Sequence, residues 1–401
     1  MRIKAISKLA AATIIFSLFA SSLHAQSTSQ PSTEPSADSA AALLPSWAIG
    51  PFSRQPDPQP VIKPNPDPTF LNPINQETVH WERAQVYNPA AVVRDGKIVV
   101  LYRAQQGPGN TVSRIGYAES TDGFHFTCDP TPIYYSAIDN RQSYEWMGSE
   151  YRGGCEDPRL AEAPDGSYRM TFSEYGVKGL RVGIASSTDL KHWTKLGCAF
   201  DGTKWEPAHV KSAAVVHEVK DGKLVAAKIN GTYWMYFGEN AVHLATSDDL
   251  THWKPLETSQ GKMLTLMTPR EGFFDSRLTE VGCQSVLTNN GIVVFYNGSN
   301  LGADKGGDPT IPRNQYCGGQ ALFDGKDPTH LIARLDKPFI QPTYPWEKTG
   351  LFRSGTTFVE GLALFHNQWF LYFGCADSFV GVATAPMNPQ QFVKAPATSD
   401  K

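Results

Sequence analysis

The sequence predicts an all-β fold, a five-bladed β-propeller, on three observations. A turn followed by an aromatic and β-branched strand occurs five times: Asp95 to Arg103, Asp165 to Glu174, Asn230 to Glu239, Asn290 to Gly298 and Asn367 to Asp377. The first three copies are followed by a second signature, Ile115 to Phe126, Val182 to Trp193 and Val242 to Trp253. The last copy ends in a short form of it, Val380 to Pro386, and the fourth in a degenerate one, Gln320 to Arg334. Almost no stretch has helical periodicity. Repeats of about 60 to 75 residues, each with room for four short strands, describe propeller blades. A β-sandwich with a second domain is the alternative, and the even spacing speaks against it.

Taken from its start, the chain opens with Arg2, Lys4 and Lys8, an apolar run from Leu9 to Ala20, and the small-residue site Leu23-His24-Ala25. That is the layout of a secretory signal over residues 1–25, so the mature protein is expected to be exported, periplasmic or extracellular, with no membrane span left after cleavage. Residues 26–75 read as a Ser/Pro-rich linker and N-terminal extension. Its first part has a disorder-prone composition, and Pro51 to Pro73 has the aromatic content to lie ordered over a surface. The propeller catalytic domain is expected over residues 76–395.

The turns within the repeats are chemically explicit. Asp-Gly and Asn-Gly are hairpin signals, and the runs after them are strands by composition. A net charge of −3 gives no support for nucleic-acid or polybasic membrane binding. Six cysteines without CxxC spacing make a structural zinc site improbable, and some are expected to be free and buried. No metal or cofactor is called for.

In a propeller the inner strands line a central channel, and ligands commonly bind at one mouth. Aligned by their turns, the repeats put Arg103, Glu174 and Glu239 at matching strand ends, with Asn297 and Asp377 ending the fourth and fifth copies. The strands before the turns supply a second ring that includes Asn88, Asp157, Lys211, Gln284 and Glu360. Pro158 is expected to hold Asp157 extended at the mouth of its strand, with Arg159 facing the same way. Convergent carboxylates, arginines and tryptophans suit a sugar-cleaving pocket, where carboxyl groups carry the proton transfers. The alternatives are a surface Asp-Arg pair and an inter-blade network of ion pairs.

Five motifs in order resemble glycoside hydrolase family 130: Asn88-Pro89-Ala90-Ala91, Leu101-Tyr102-Arg103, Cys155 to Arg159, Ala185 to Leu190 and Tyr372 to Asp377. The likeness runs from about Tyr87 to Ala385. It implies a five-bladed propeller acting on a β-linked manno-oligosaccharide with inversion, either as a phosphorylase or as a β-1,2-mannosidase. By position it implies Asp157 as the proton donor, working through a hydroxyl of the bound mannose. It implies Asn88, Arg103 and Asp377 as mannose ligands and Arg159 as the partner that orients Asp157.

Departures from the phosphorylase pattern favour the exported mannosidase branch. Asn297 stands where a phosphate-binding histidine is expected, and Glu174 and Glu239 lie at or near positions of cationic phosphate ligands. These two glutamates are therefore expected to hold and deprotonate a water. Lys211 lies near a phosphorylase lysine and speaks the other way. With Asn297 and Glu360 it completes the expected substrate contacts. A phosphorylase making mannose 1-phosphate and a non-catalytic sugar-binding propeller stay open, as do linkage preference and oligomeric state.

Overall fold

The computed structural model describes residues 44–392. The signal segment read over residues 1–25 lies outside them. Five antiparallel blades follow one another around a channel. The first is built from Gln85–Arg94, Lys97–Gln105, Thr111–Ser120 and Thr127–Cys128. The second uses Arg152–Glu162, Tyr168–Gly176, Gly179–Ser187 and Thr194–Cys198. Ala213–Lys220, Thr232–Phe237, Val242–Ser247 and Lys254–Pro255 make the third. In the fourth the inner strand is broken into Leu278–Val281 and Ser285–Thr288, followed by Gly291–Ser299, Tyr316–Phe323 and Leu331–Arg334.

The hairpin signals do what their chemistry predicts. Asp95-Gly96 and Asn230-Gly231 have positive φ at both central residues, which matches the right-handed twist of the flanking strands. His366-Asn367 takes the same form without a glycine.

Among the described residues the fifth blade has three strands of its own, Thr357–Phe365, Gln368–Cys375 and Phe379–Pro386. Its outer edge is covered by the proline-dense N-terminal stretch, through bridges Ser53↔Thr384 and Ile62↔Val380. Proline fits here because an edge position needs few backbone donors. The same stretch reaches into the core. Ile49 and Phe52 join a buried cluster with Val286, Phe295, Leu322, Trp369 and Leu371. The Gln320 side-chain amide accepts from the Ile49 N–H at 2.9 Å and donates to the Ile49 carbonyl at 2.8 Å. The ordered body therefore starts well before the boundary near residue 76 that composition suggests.

One buried ion pair fastens this closure. Arg54 Nε donates to Glu347 Oε1 at 2.6 Å, and the Glu347 side chain has no exposed surface. Removing one partner of such a pair leaves an uncompensated buried charge, at a cost of about 3–5 kcal/mol. Arg54→Met is accordingly expected to lower the unfolding free energy by roughly that amount, read from the urea midpoint; an unchanged midpoint refutes a closing role for this pair.

Candidate active site

At one level of the channel the inner strands bulge. In the first blade Tyr87 faces Arg103 and Pro89 faces Tyr102, so Asn88 is the extra residue. In the second, Glu156 faces Ser173 and Arg159 faces Thr171, which leaves Asp157 in the bulge. In the fifth, Val359 faces Phe373 and Gly361 faces Tyr372, with Glu360 between. The third blade does the same at Ser212, where the Gly238 N–H reaches both the Lys211 and the Ser212 carbonyls at 3.0 Å. A bulge re-aims one side chain out of the regular alternation. Here it turns polar side chains toward the channel.

The backbone at three of these points is left-handed. φ is +48° at Asn88, +49° at Asp157 and +59° at Ser212. The expectation that Pro158 holds Asp157 extended is thus wrong. The bulge overrides the pre-proline preference, and Asp and Asn tolerate the left-handed region better than other residues with a Cβ. Strain of this kind costs on the order of 1–3 kcal/mol and persists only where the surroundings over-determine it.

The bulges open on a pocket of about 360 Å³. Asn88, Arg103, Asp157, Lys211, Glu239 and Asp377 line it, as the sequence led one to expect, together with Glu280 and an apolar side formed by Tyr316, Leu351, Phe352 and Phe358. Arg103 donates to Asp157 Oδ1 and to Glu156 Oε1, both at 2.9 Å, and its guanidinium lies 4.8 Å over the Tyr87 ring. Asn88 Nδ2 donates to the same Asp157 oxygen at 2.8 Å. Lys211 Nζ lies 2.9 Å from Glu280 Oε1 and 3.6 Å from Glu239 Oε1, and Ser212 Oγ also donates to Glu280.

The carboxyl groups differ in their affinity for a proton. Burial raises that of Asp157, but Arg103, Lys211, the Asn88 hydrogen bond and Arg159 outweigh it and hold the group below the usual carboxylate range. Burial pushes Asp377 up to about 6, with Arg103 opposing and Asp157 adding. Burial also raises Glu239, against Lys211 and with Glu280. Asp157 is thus the most firmly ionised of the three, and Asp377 and Glu239 hold a proton more readily.

Four expected site residues do not line the pocket. Glu174 is buried in the second blade, where Arg141 grips it from Nε at 3.1 Å and Nη2 at 2.5 Å and Cys198 Sγ donates to it at 3.0 Å. The reason is register. The bulge makes Ser173, facing Glu156, the counterpart of Arg103, which faces Tyr87. Glu174 is one residue further on, and a one-residue slip turns a side chain to the opposite face. It therefore holds no water in the pocket. Asn297 binds main chain instead of substrate, donating to the Val359 carbonyl at 3.1 Å and accepting from the Val359 N–H at 2.7 Å. Arg159 and Glu360 lie buried behind the pocket wall. Arg159 does reach Asp157, but at its main-chain carbonyl, 3.1 Å away, and not at its carboxylate.

Glu280 is the residue the repeats did not reveal. The fourth inner strand was expected to start at Gln284, but its first half, Leu278–Val281, precedes a break at Gly282. A carboxylate between the β-branched Thr279 and Val281 was the available signal. The six cysteines are free, and all but Cys128 are buried.

Known proteins resemble this chain along most of its length. The family model for glycoside hydrolase family 130, described as beta-1,4-mannooligosaccharide phosphorylase, matches residues 58–391. A 1,2-beta-oligomannan phosphorylase of Thermoanaerobacter sp. (strain X514) is 30% identical over 324 residues, covering 78% of this chain and 93% of that protein. A solved structure from Parabacteroides distasonis ATCC 8503 is 48% identical with a TM-score of 0.82, covering 85% of this chain and 98% of that one. Another, 44% identical with a TM-score of 0.82, covers 88% of this chain and 98% of that one. It carries the statement that the GH130 family of mannoside phosphorylases contains glycoside hydrolases that target beta-1,2 mannosidic linkages in Candida mannan.

The placement of Glu174 is directly testable. Glu174→Gln is expected to lower stability by about 1–3 kcal/mol, because Arg141 loses its charged partner. Turnover of a β-mannoside should stay within about threefold of the parent, since the altered charge lies off the pocket wall. A hundredfold loss of kcat in a folded variant would restore Glu174 to the reaction.

Proposed function

This chain belongs to glycoside hydrolase family 130, whose members act on β-mannosides, and we propose that it is an inverting hydrolase releasing mannose from β-1,2-linked manno-oligosaccharides. The observation that carries this reading is the state of the pocket's two cations. Arg103 is shared by Asp157 and Glu156, and Lys211 by Glu280 and Glu239. The pocket wall carries four carboxylates against these two cations. A phosphate dianion would enter a site with no uncommitted positive charge on its wall. A neutral water hydrogen-bonded to Glu239 or Glu280 meets no such repulsion. The 44% identity to a structure reported with hydrolases that target β-1,2 mannosidic linkages supports the same choice. The phosphorylase relative at 30% identity and the retained Lys211 favour the second reading, phosphorolysis.

The steps follow from the residues. The terminal mannose is held by Asn88, Arg103 and Asp377. A sugar hydroxyl entering between Arg103 and Asp157 displaces the contact that most strongly holds Asp157 ionised, so burial raises its proton affinity and it takes up one proton from solvent as the complex forms. Asp157 then protonates that hydroxyl as the hydroxyl passes its own proton to the glycosidic oxygen. Water, positioned by Glu239 and Glu280, attacks the anomeric carbon from the opposite face and gives up a proton to one of them while the C–O bond breaks. Mannose and the shortened sugar leave, and proton exchange with solvent resets the carboxyl groups. The proposal includes export, on the strength of residues 1–25.

Incubation of β-1,2-mannobiose in phosphate-free buffer is expected to yield free mannose. Strict dependence on phosphate, with mannose 1-phosphate as product, overturns the hydrolase reading, and β-1,4-mannobiose run in parallel tests the linkage. Asp157→Asn should lower kcat by at least about a hundredfold, the usual scale for a lost general acid.

Asp377 supplies a pH signature. Its proton affinity is raised, so an ionised sugar ligand is present above about pH 6 and lost as pH falls through that value. A limb in kcat/KM is expected there, flattened in Asp377→Asn at a lower overall rate. A limb left intact by that substitution assigns it to another group.

A further inference from the structure

We propose that Glu360 is a positioning residue for Asp157, acting through Arg159 to hold the bulge from which Asp157 enters the pocket. The inference rests on the acid role given to Asp157 above. Glu360 occupies the bulge of the fifth blade, the counterpart of the one that carries Asp157. Its side chain is wholly buried, and neither carboxyl oxygen has a hydrogen-bond partner. Burial of an unpartnered carboxyl is costly and calls for a reason.

The charge facing it is Arg159, whose Nη1 lies 3.5 Å from Glu360 Oε1. That same Nη1 donates to the Asp157 carbonyl at 3.1 Å, while Nε and Nη2 donate to the carbonyls of Gly282 and Val281 at 2.9 Å each. The guanidinium therefore ties the left-handed turn at Asp157 to the break in the fourth inner strand, with Glu360 behind it. Glu360 itself has little freedom. Asn297 clamps both main-chain groups of Val359 before it. After it, a Cβ on Gly361 would lie 2.7 Å from the Pro89 carbonyl, so the first and fifth inner strands are in main-chain contact here.

Charge supports the same role. Burial raises the Glu360 carboxyl well above the usual range, with Arg159 opposing, Asp157 and Glu280 adding and Lys211 opposing. The balance of these influences favours the neutral form of the carboxyl. A neutral carboxyl steadies Arg159 without drawing it away from the Asp157 carbonyl and without placing another negative charge beside Asp157.

Three variants test this on β-1,2-mannobiose and on 2,4-dinitrophenyl β-mannoside, whose leaving group departs without a proton. Glu360→Leu is expected to lower kcat on mannobiose at least tenfold with KM within threefold, and to stay within threefold of the parent on the aryl substrate. Glu360→Gln, neutral and of the same shape, should stay within threefold on both. Glu360→Asp draws the carboxyl back from Arg159 by one methylene and should show the same split between substrates at three- to tenfold; it carries the test if Glu360→Leu does not fold. Equal losses on both substrates, parent-like rates of Glu360→Leu and Glu360→Asp on mannobiose, or a tenfold loss in Glu360→Gln each overturn the inference. Assays with and without phosphate keep the two questions apart. A parent that needs phosphate defeats the hydrolase reading, while the ratio of variant to parent still tests Glu360.

Discussion

The mouth of the channel is held by two cations that each serve two carboxylates. Arg103 pairs with Asp157 and Glu156, and Lys211 with Glu280 and Glu239. Without them, four acidic side chains from neighbouring blades would meet in a poorly hydrated space. Two like charges 4 Å apart repel by about 4 kcal/mol at an effective dielectric of 20. The first and second blades supply the Arg103 group, and the third and fourth the Lys211 group. The cations therefore join blades as well as tune carboxyl groups, so an inter-blade ion-pair network and a pocket wall share the same residues here.

The bulges are the structural means to this end. A regular strand would send alternate side chains into the inter-blade core. An extra residue at Asn88, Asp157, Ser212 and Glu360 breaks that alternation at one level and turns polar groups inward. The left-handed φ at three of them is unfavourable locally, so other contacts must fix it. Arg159 does so at Asp157 through the main chain, and the Gly238 N–H does so at Ser212. Side-chain hydrogen bonds alone would leave the carboxylate placed but its backbone free to relax.

Much of this was legible in the sequence. Repeated hairpin signals and aromatic strands specified five blades, because turn chemistry and period-two strands act locally. The ring that contains Asn88, Asp157 and Lys211 was found because polar residues interrupt apolar strands at matching places. Glu174 was misplaced by a single residue, since it lies eight residues after its turn glycine where Arg103 lies seven, and a strand changes face at every residue. Glu280 escaped because the fourth inner strand is split at Gly282, and a broken strand has no run long enough to announce itself. The closure of the fifth blade by residues 53–62 pairs segments more than 300 residues apart, which local pattern cannot show.

Lys211 does not by itself make a phosphate site. A cation attracts an anion only with the charge that its other partners leave uncompensated. Its ammonium lies 2.9 Å from Glu280 and 3.6 Å from Glu239, so most of its field is spent within the wall. For a dianion to bind, one of those carboxylates would have to be neutral, and Glu239 is the candidate, since burial and Glu280 raise its proton affinity. Protonating Glu239, however, removes an acceptor for the attacking water's proton. Glu239 cannot at once be neutral to admit phosphate and ionised to activate water, so on the reading proposed above its charge state weighs between the two nucleophiles. With Glu280 held by Lys211 and Ser212, the hydrolysis proposed above requires Glu239 ionised and Asp157 protonated once the sugar is bound.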